Sequence, residues 1–333
     1  MSIISSRSLA LVLAFCLAGC ASHVESESPR EAIPVVTLEQ DAPKTLARPP
    51  FYQIDGGVGA TLALMGTIHI GPDSGWTFST AINDGLTRAD LFILEVDLNQ
   101  VGEDEIGSAL ARMVIIEPPR FLQDLVSPET AKLLEQEDAR LTEMGMPFNA
   151  RKRFKPWYIA MSLVEDATRS SGWSNSASAE SVILAAIGGR PIHGLETPQE
   201  QLRMLGGLDP ILQDMMLRDT LLRLDEAVEE VHTHAEAWRI GDEPYFEALA
   251  REGVDEMPEF ERFYEIILGD RNRRWLPEFQ KFIDDPAFAG KLIFVGVGAL
   301  HLVGEDGLVE LFRSRGYEAR PIDHAERIKL DKR

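Results

Sequence analysis

Cysteine is nearly absent from this 333-residue chain: there are two, Cys16 and Cys20, both within the first twenty residues. Whatever folds after them has no disulfide, no thiol nucleophile and no cysteine-ligated metal. Positive charge is also scarce, with 33 Lys and Arg against 54 Asp and Glu and a formal net charge of −21. Such a surface repels polyanions, so no nucleic-acid partner is expected. Long apolar runs are missing too, since the first, at 8–17, is too short for a comfortable membrane span. The composition, 44% hydrophobic and 26% charged, is that of ordinary globular material, enough for one large core or two ordinary domains.

The N-terminus is the first thing present. One positive charge in 1–7 precedes the apolar run, and Leu17-Ala18-Gly19-Cys20 closes it with small residues, which reads as a signal peptide over 1–19. Its last four residues resemble a bacterial lipobox. That resemblance implies that Cys20 carries the lipid (palmitate-type acyl chains) and that the chain is exported and anchored to a bacterial membrane, at the periplasmic face of the outer membrane. Residues 20–47 mix Ser, Glu and Pro without sustained periodicity and are expected to form a flexible tether, leaving 48–325 as a single domain.

Apolar runs of strand length fall at 51–55, 61–67 and 90–98. A Gly-rich turn, Gly56-Gly57-Val58-Gly59, separates the first two. A helix over 80–89 separates the last two, opened by Ser79, whose hydroxyl can accept a first-turn N–H. Strand, helix, apolar strand is the pattern of a βαβ crossover in a buried parallel sheet. The middle is helical: Pro128 and Pro156 open helices to about 144 and 169, a third covers 177–187, and a long one runs over 209–239 to Gly241. A short strand at 189–197 interrupts them, and helices resume at 244–251 and 258–282. The end returns to sheet, with a strand at 291–297, an amphipathic helix at 306–315 and a last strand at 317–322. This order predicts an α/β fold: a mainly parallel central sheet flanked by helices, with a large helical insertion between the first and last strands.

Two of these strands end alike, in Gly66-Thr67-Ile68-His69 and Gly298-Ala299-Leu300-His301. Ligands of a parallel sheet bind outside the carboxyl ends of its strands, so the repeated Gly-x-x-His predicts two imidazoles at one rim, the glycines allowing a sharp turn. Glu95 interrupts "FILEVDL", where a buried acid needs a partner. Glu196, in the 189–197 segment, is expected just past the end of its short strand and precedes Thr197-Pro198, where a helix start would favour an acid. In "GDRNRRW" (269–275), Arg271 and Asn272 either pair with surface acids or point to the rim as oxyanion or carboxylate donors. Among the other histidines, His193 reads as core packing. His232 and His234, about 200° apart on a helical wheel, read as a solvated face. His23 falls in the tether and His324 in a polar tail.

Taken together, "MGTIHIG…LFILEVDL…GLET…Q…AWRIGD…DRNRRW…FVGVGALHLVGEDGLVELFRSRGY" resembles the TraB/GumN family, which includes the pheromone-shutdown and Tiki proteins, over nearly the entire folded part. The resemblance implies a fold related to erythromycin esterase and the haem-binding ChaN proteins. It makes His69, Glu95, Arg271, Asn272 and His301 the central residues, with Glu196 secondary. One departure stands out: where the family often has Gly-x-Asp, this chain has "SGWSNSASAES", with Glu180 the nearest acid. The activity implied is metal-dependent cleavage of a peptide or amide bond in a peptide or protein substrate. His69, His301 and Glu95 would then hold a divalent transition metal ion, with Glu95 or Glu196 as base and Arg271 and Asn272 as oxyanion donors. Two alternatives remain: a metal-free hydrolase of the erythromycin-esterase type, using one histidine oriented by Glu95, and a lipid-anchored haem- or peptide-binding protein without chemistry.

Overall fold

A computed structural model describes residues 46–97, 111–254 and 259–330. The signal peptide, Cys20 and most of the tether lie outside these residues. At the centre is a six-stranded sheet in the order β10-β2-β3-β9-β6-β8. Its members are β2 (Phe51–Asp55), β3 (Thr61–Thr67), β6 (Leu91–Val96), β8 (Ile192–Glu196), β9 (Leu292–Gly298) and β10 (Glu318–Pro321). β9 is buried along its full length and β3 and β6 nearly so, as continuous apolar strands covered on both faces should be.

The sheet is mixed. β3, β9, β6 and β8 run parallel to one another, but β2 pairs antiparallel with both β3 and β10. The expectation of a mainly parallel sheet therefore fails at β2, and the reason is chain length. Only Gly56 to Ala60 joins β2 to β3. A parallel pair needs a crossover of about a dozen residues, so this connection can only make a hairpin.

Side chains alternate across the sheet and divide the core in two. Leu62 and Leu64 face a cluster with Trp275, Phe279, Ile283 and Phe312, whereas Ala63 and Met65 face the larger cluster that the helical middle covers. The helices that matter for the site are α1 (Thr80–Arg88), α2 (Pro156–Ser170), α3 (Ala179–Ile187), α4 (Pro198–Gly206), α5 (Pro210–Leu222), α6 (Ala227–Ile240), α7 (Glu243–Leu249), α8 (Asp270–Ile283) and α9 (Leu308–Ser314). The capping expected of Ser79 is present, its Oγ accepting from Ile82 N at 3.4 Å. The expected long helix over 209–239 is instead α5 and α6, broken at 223–226, where no Gly or Pro marks the interruption. Likewise 128–144 is split into Pro128–Gln136 and Asp138–Glu143.

Both borders of the expected domain shift. Leu46–Ala47 (β1), assigned above to the tether, is buried and pairs in parallel with β5 (Thr77–Phe78), and Arg48 N donates to Arg239 O at 2.7 Å. At the other end, residues past 325 still pack on the domain. Ile328 is buried against the larger core, and Lys329 O accepts from Gln53 Nε2 at 2.8 Å. His324, expected in a polar tail, meets Ser79 Oγ through Nδ1 at 2.8 Å, and His234, expected on a solvated face, is fully buried with Tyr245 Oη 3.0 Å from its Nδ1. His193 is one-third exposed beside Glu278, rather than in the core.

Candidate active site

The four parallel strands share one direction, so their carboxyl ends form one rim, and it carries His69, Glu95, Glu196 and His301. The two Gly-x-x-His motifs sit side by side, because β3 pairs directly with β9 in the register Gly66↔Val297 and Thr67↔Gly298. Neither Gly66 nor Gly298 has positive φ, so turning is not why Gly66 is there. A Cβ on Gly66 would stand 3.0 Å from Ala299 Cα and 3.1 Å from Ala299 Cβ. Glycine lets the turn that carries His301 lie directly on β3.

His69 is held from the other side. Beyond it, β4 (Gly71–Pro72) pairs with β7 (Trp173–Ser174), and Ala179 N donates to Ile68 O at 3.0 Å. These bonds bring the first turn of α3, capped by Ser178, against the His69 loop. As a result His69 Nδ1 lies 3.0 Å from Glu180 Oε1; the His69 side chain is 7% and the Glu180 side chain 20% exposed, and both carboxylate oxygens are buried. Burial works most strongly, to raise the Glu180 carboxyl, but the neighbouring His69 together with the Thr67 hydroxyl and a backbone N–H holds the group below the usual carboxylate range. Glu180 was noted in the sequence only as the acid nearest a missing motif, and no local pattern there assigns it to His69.

The remaining candidates surround Arg271, which is fully buried. A π-helical turn, Glu265–Gly269, precedes α8 and leads into the face that carries Arg271 and Asn272 toward the rim. A guanidinium has five N–H donors, and all five are committed. Nε donates to Glu196 Oε2 at 3.3 Å, Nη1 to Ile267 O at 3.1 Å and to His301 Nε2 at 3.0 Å, and Nη2 to Glu95 Oε2 at 2.5 Å and to Glu196 Oε1. The Trp275 ring lies 4.6 Å from its Cζ, close enough for a cation–π contact.

Asn272 is equally occupied. Its Oδ1 accepts from His301 Nδ1 at 2.7 Å, and its Nδ2 donates to His301 O at 3.2 Å and Asp306 O at 2.8 Å. Asn272 thus clamps His301, and neither it nor Arg271 keeps an uncommitted N–H for an oxyanion, contrary to the role expected for them. Glu95 Oε1 accepts from Gly298 N at 2.7 Å, and buried Gln201, unforeseen from the sequence, bridges the carboxylates, 3.3 Å from Glu95 and 2.8 Å from Glu196. Burial pushes the Glu95 carboxyl upward against the pull of Arg271. Burial, then Arg271 and His69, hold His301 well below its ordinary pKa, so its ring is neutral.

This arrangement does not fit the expected metal ligands His69, Glu95 and His301. Both nitrogens of His301 and both oxygens of Glu95 already have partners, and the guanidinium stands where they converge. Among the described residues no three His, Cys, Asp or Glu side chains are grouped to hold an ion.

An α/β protein with a mixed sheet, carrying a histidine–glutamate pair beside a buried arginine–carboxylate cluster at the strand ends, is the class that fold and site define. The TraB/PrgY/gumN family model matches residues 50–321, and the chain belongs to that family. No curated protein and no solved structure matches it.

Proposed function

We infer that the protein is a hydrolase of amide or ester bonds in which His69, oriented by Glu180, activates water without a metal ion. The observation that carries this reading is the 3.0 Å contact between His69 Nδ1 and Glu180 Oε1. With Nδ1–H committed to a carboxylate, Nε2 is the basic nitrogen. It takes the proton of an attacking water as the water oxygen bonds to the carbonyl carbon, and returns that proton to the departing amine or alcohol. Glu180 stabilises the imidazolium formed between the two steps, as the acid of a catalytic triad does for its histidine. The Arg271 cluster fixes the floor of the site. A metal-dependent peptidase, the activity implied by the family resemblance, is less well supported because its expected ligands are engaged elsewhere.

The relationship in fold to erythromycin esterase belongs to this proposal, as does location. Attachment through Cys20 would deliver the activity to the cell envelope, where peptides or proteins are the substrates in reach. No helix of the described residues is long and apolar enough to cross a membrane.

The test is turnover of fluorogenic peptides and p-nitrophenyl esters with and without chelator. Wild-type turnover should survive chelation and fall by about 10²–10⁴-fold in His69→Gln. Turnover that chelator abolishes and a transition ion restores would replace this reading with the metallopeptidase. Tight haem or peptide binding without turnover would replace it with a binding protein.

A further inference from the structure

The least expected feature of the site is a cation at its centre that is part of the chain. Three groups with the chemistry of metal ligands, Glu95, Glu196 and the Nε2 of His301, converge on one fully buried guanidinium. The groups outside them are those that orient ligands in metal sites. Asn272 Oδ1 accepts from the far nitrogen of His301, Gln201 braces both carboxylates and Gly298 N–H holds the second oxygen of Glu95. What differs from a metal site is the occupant.

We propose that Arg271 is the resident cation of this centre, taking the place of a divalent metal ion, and that removing its side chain opens a metal site formed by Glu95, Glu196 and His301. The physical argument is charge. Two buried carboxylates are tolerated because the guanidinium satisfies them; without it Glu95 loses its paired cation and Glu196 keeps only the largely exposed Arg274, 3.4 Å from its Oε2, which leaves negative charge undercompensated at low dielectric. The space vacated is lined by two anionic oxygen donors and one neutral imidazole, a donor set suited to zinc or cobalt. In the native chain these donors stand around a flat group and are spread too far to share one ion. Without it, closing on a cation is the way to keep both carboxylates charged. The proposal goes beyond the hydrolytic reading and does not depend on it, since its measurement is metal uptake.

Wild type, Arg271→Ala and Arg271→Ala/His301→Ala would be dialysed against Zn²⁺ and Co²⁺ and analysed for bound metal, for cobalt d–d absorption and for thermal midpoint. The expected result is no stoichiometric uptake by wild type, about one ion per chain with a tetrahedral cobalt spectrum in Arg271→Ala, and loss of that ion in the double variant. The ion should raise the midpoint of Arg271→Ala alone, and methylguanidinium should compete with it. If Arg271→Ala does not fold, Arg271→Gln carries the same expectation, because it also removes the charge. Stoichiometric uptake by wild type that depends on His301 overturns the proposal, as does failure of both variants to take up an ion or to refold on its addition.

Discussion

Gly66→Ala tests the link between the first motif and the second. The added Cβ would meet Ala299 Cα at 3.0 Å and Ala299 Cβ at 3.1 Å, whereas ordinary contact begins at 3.4 Å. One side or the other must move by a few tenths of an ångström, and both are anchored. β3 is hydrogen-bonded on both edges, and Gly66 O also accepts from Trp238 Nε1 at 2.8 Å. Overpacking of this kind costs roughly 1–3 kcal/mol. Gly296→Ala is the control, since its Cβ meets Ile183 Cδ1 at 3.1 Å, Leu94 Cδ2 at 3.2 Å and Thr67 Cγ2 at 3.4 Å, all ends of side chains that can rotate. Urea denaturation should show the larger loss for Gly66→Ala. Because the strain falls on the turn carrying His301, its turnover should drop by about 10-fold or more even where the protein is fully folded. Equal stability of the two variants, with turnover unchanged, would refute the view that Gly66 exists to let this turn approach.

Asn272→Ala leaves the buried Nδ1 of His301 without its acceptor and should cost about 1–3 kcal/mol in urea denaturation; a loss below 0.5 kcal/mol on the order of surface substitutions would argue against the clamp. Because the folded pKa of Glu180 is depressed, its contribution to stability is fully present above its unfolded value of about 4.3 and is lost as pH falls through the lower folded value. The stability profile of Glu180→Gln should therefore converge with that of wild type in acid, and a constant gap down to low pH would contradict the ion pair. His301 has the opposite consequence: its lowered pKa means that the unfolded chain takes up a proton below about 6.5 while the folded one does not, so wild type should lose stability on acidification more steeply than His301→Gln. Cys20→Ser should release the protein from membranes with its melting midpoint unchanged, and retention would remove Cys20 as the anchor.

Much of the frame could be read from the sequence because its signals are local. The apolar runs of β3, β6 and β9, the Ser79 cap and the return to sheet after 283 each follow from a few adjacent residues. The break at 223–226 carries no such signal, and the antiparallel pairing of β2 with β3 was overlooked although the short Gly56–Ala60 link implied it. At the site, strand ends indicated the rim but not the partners. Glu180 meets His69 only because β4 and β7 pair, a contact between distant segments. For Arg271 a usable signal existed: Arg271 and Asn272 share the buried stripe of α8 with Trp275, Leu276, Phe279 and Ile283, so helical period places two polar side chains on the apolar face. That their donors are all consumed could not be read from spacing.

The adjacency of β3 and β9 also sets the order in which the molecule can be completed. The hydrogen bond from Gly298 to Glu95 joins residues 203 positions apart, with the described helical layer between them in the chain. During synthesis the first imidazole, its glutamate and the helical layer all emerge while the central slot of the sheet, between β3 and β6, is still empty. Closing that gap late is affordable in entropy, since loop cost rises by only about 0.6 kcal/mol per doubling of length, but it is slow, because distant parallel strands pair late. A nascent or C-terminally truncated chain therefore carries an open sheet and half a site, and activity appears only with the last forty or so residues.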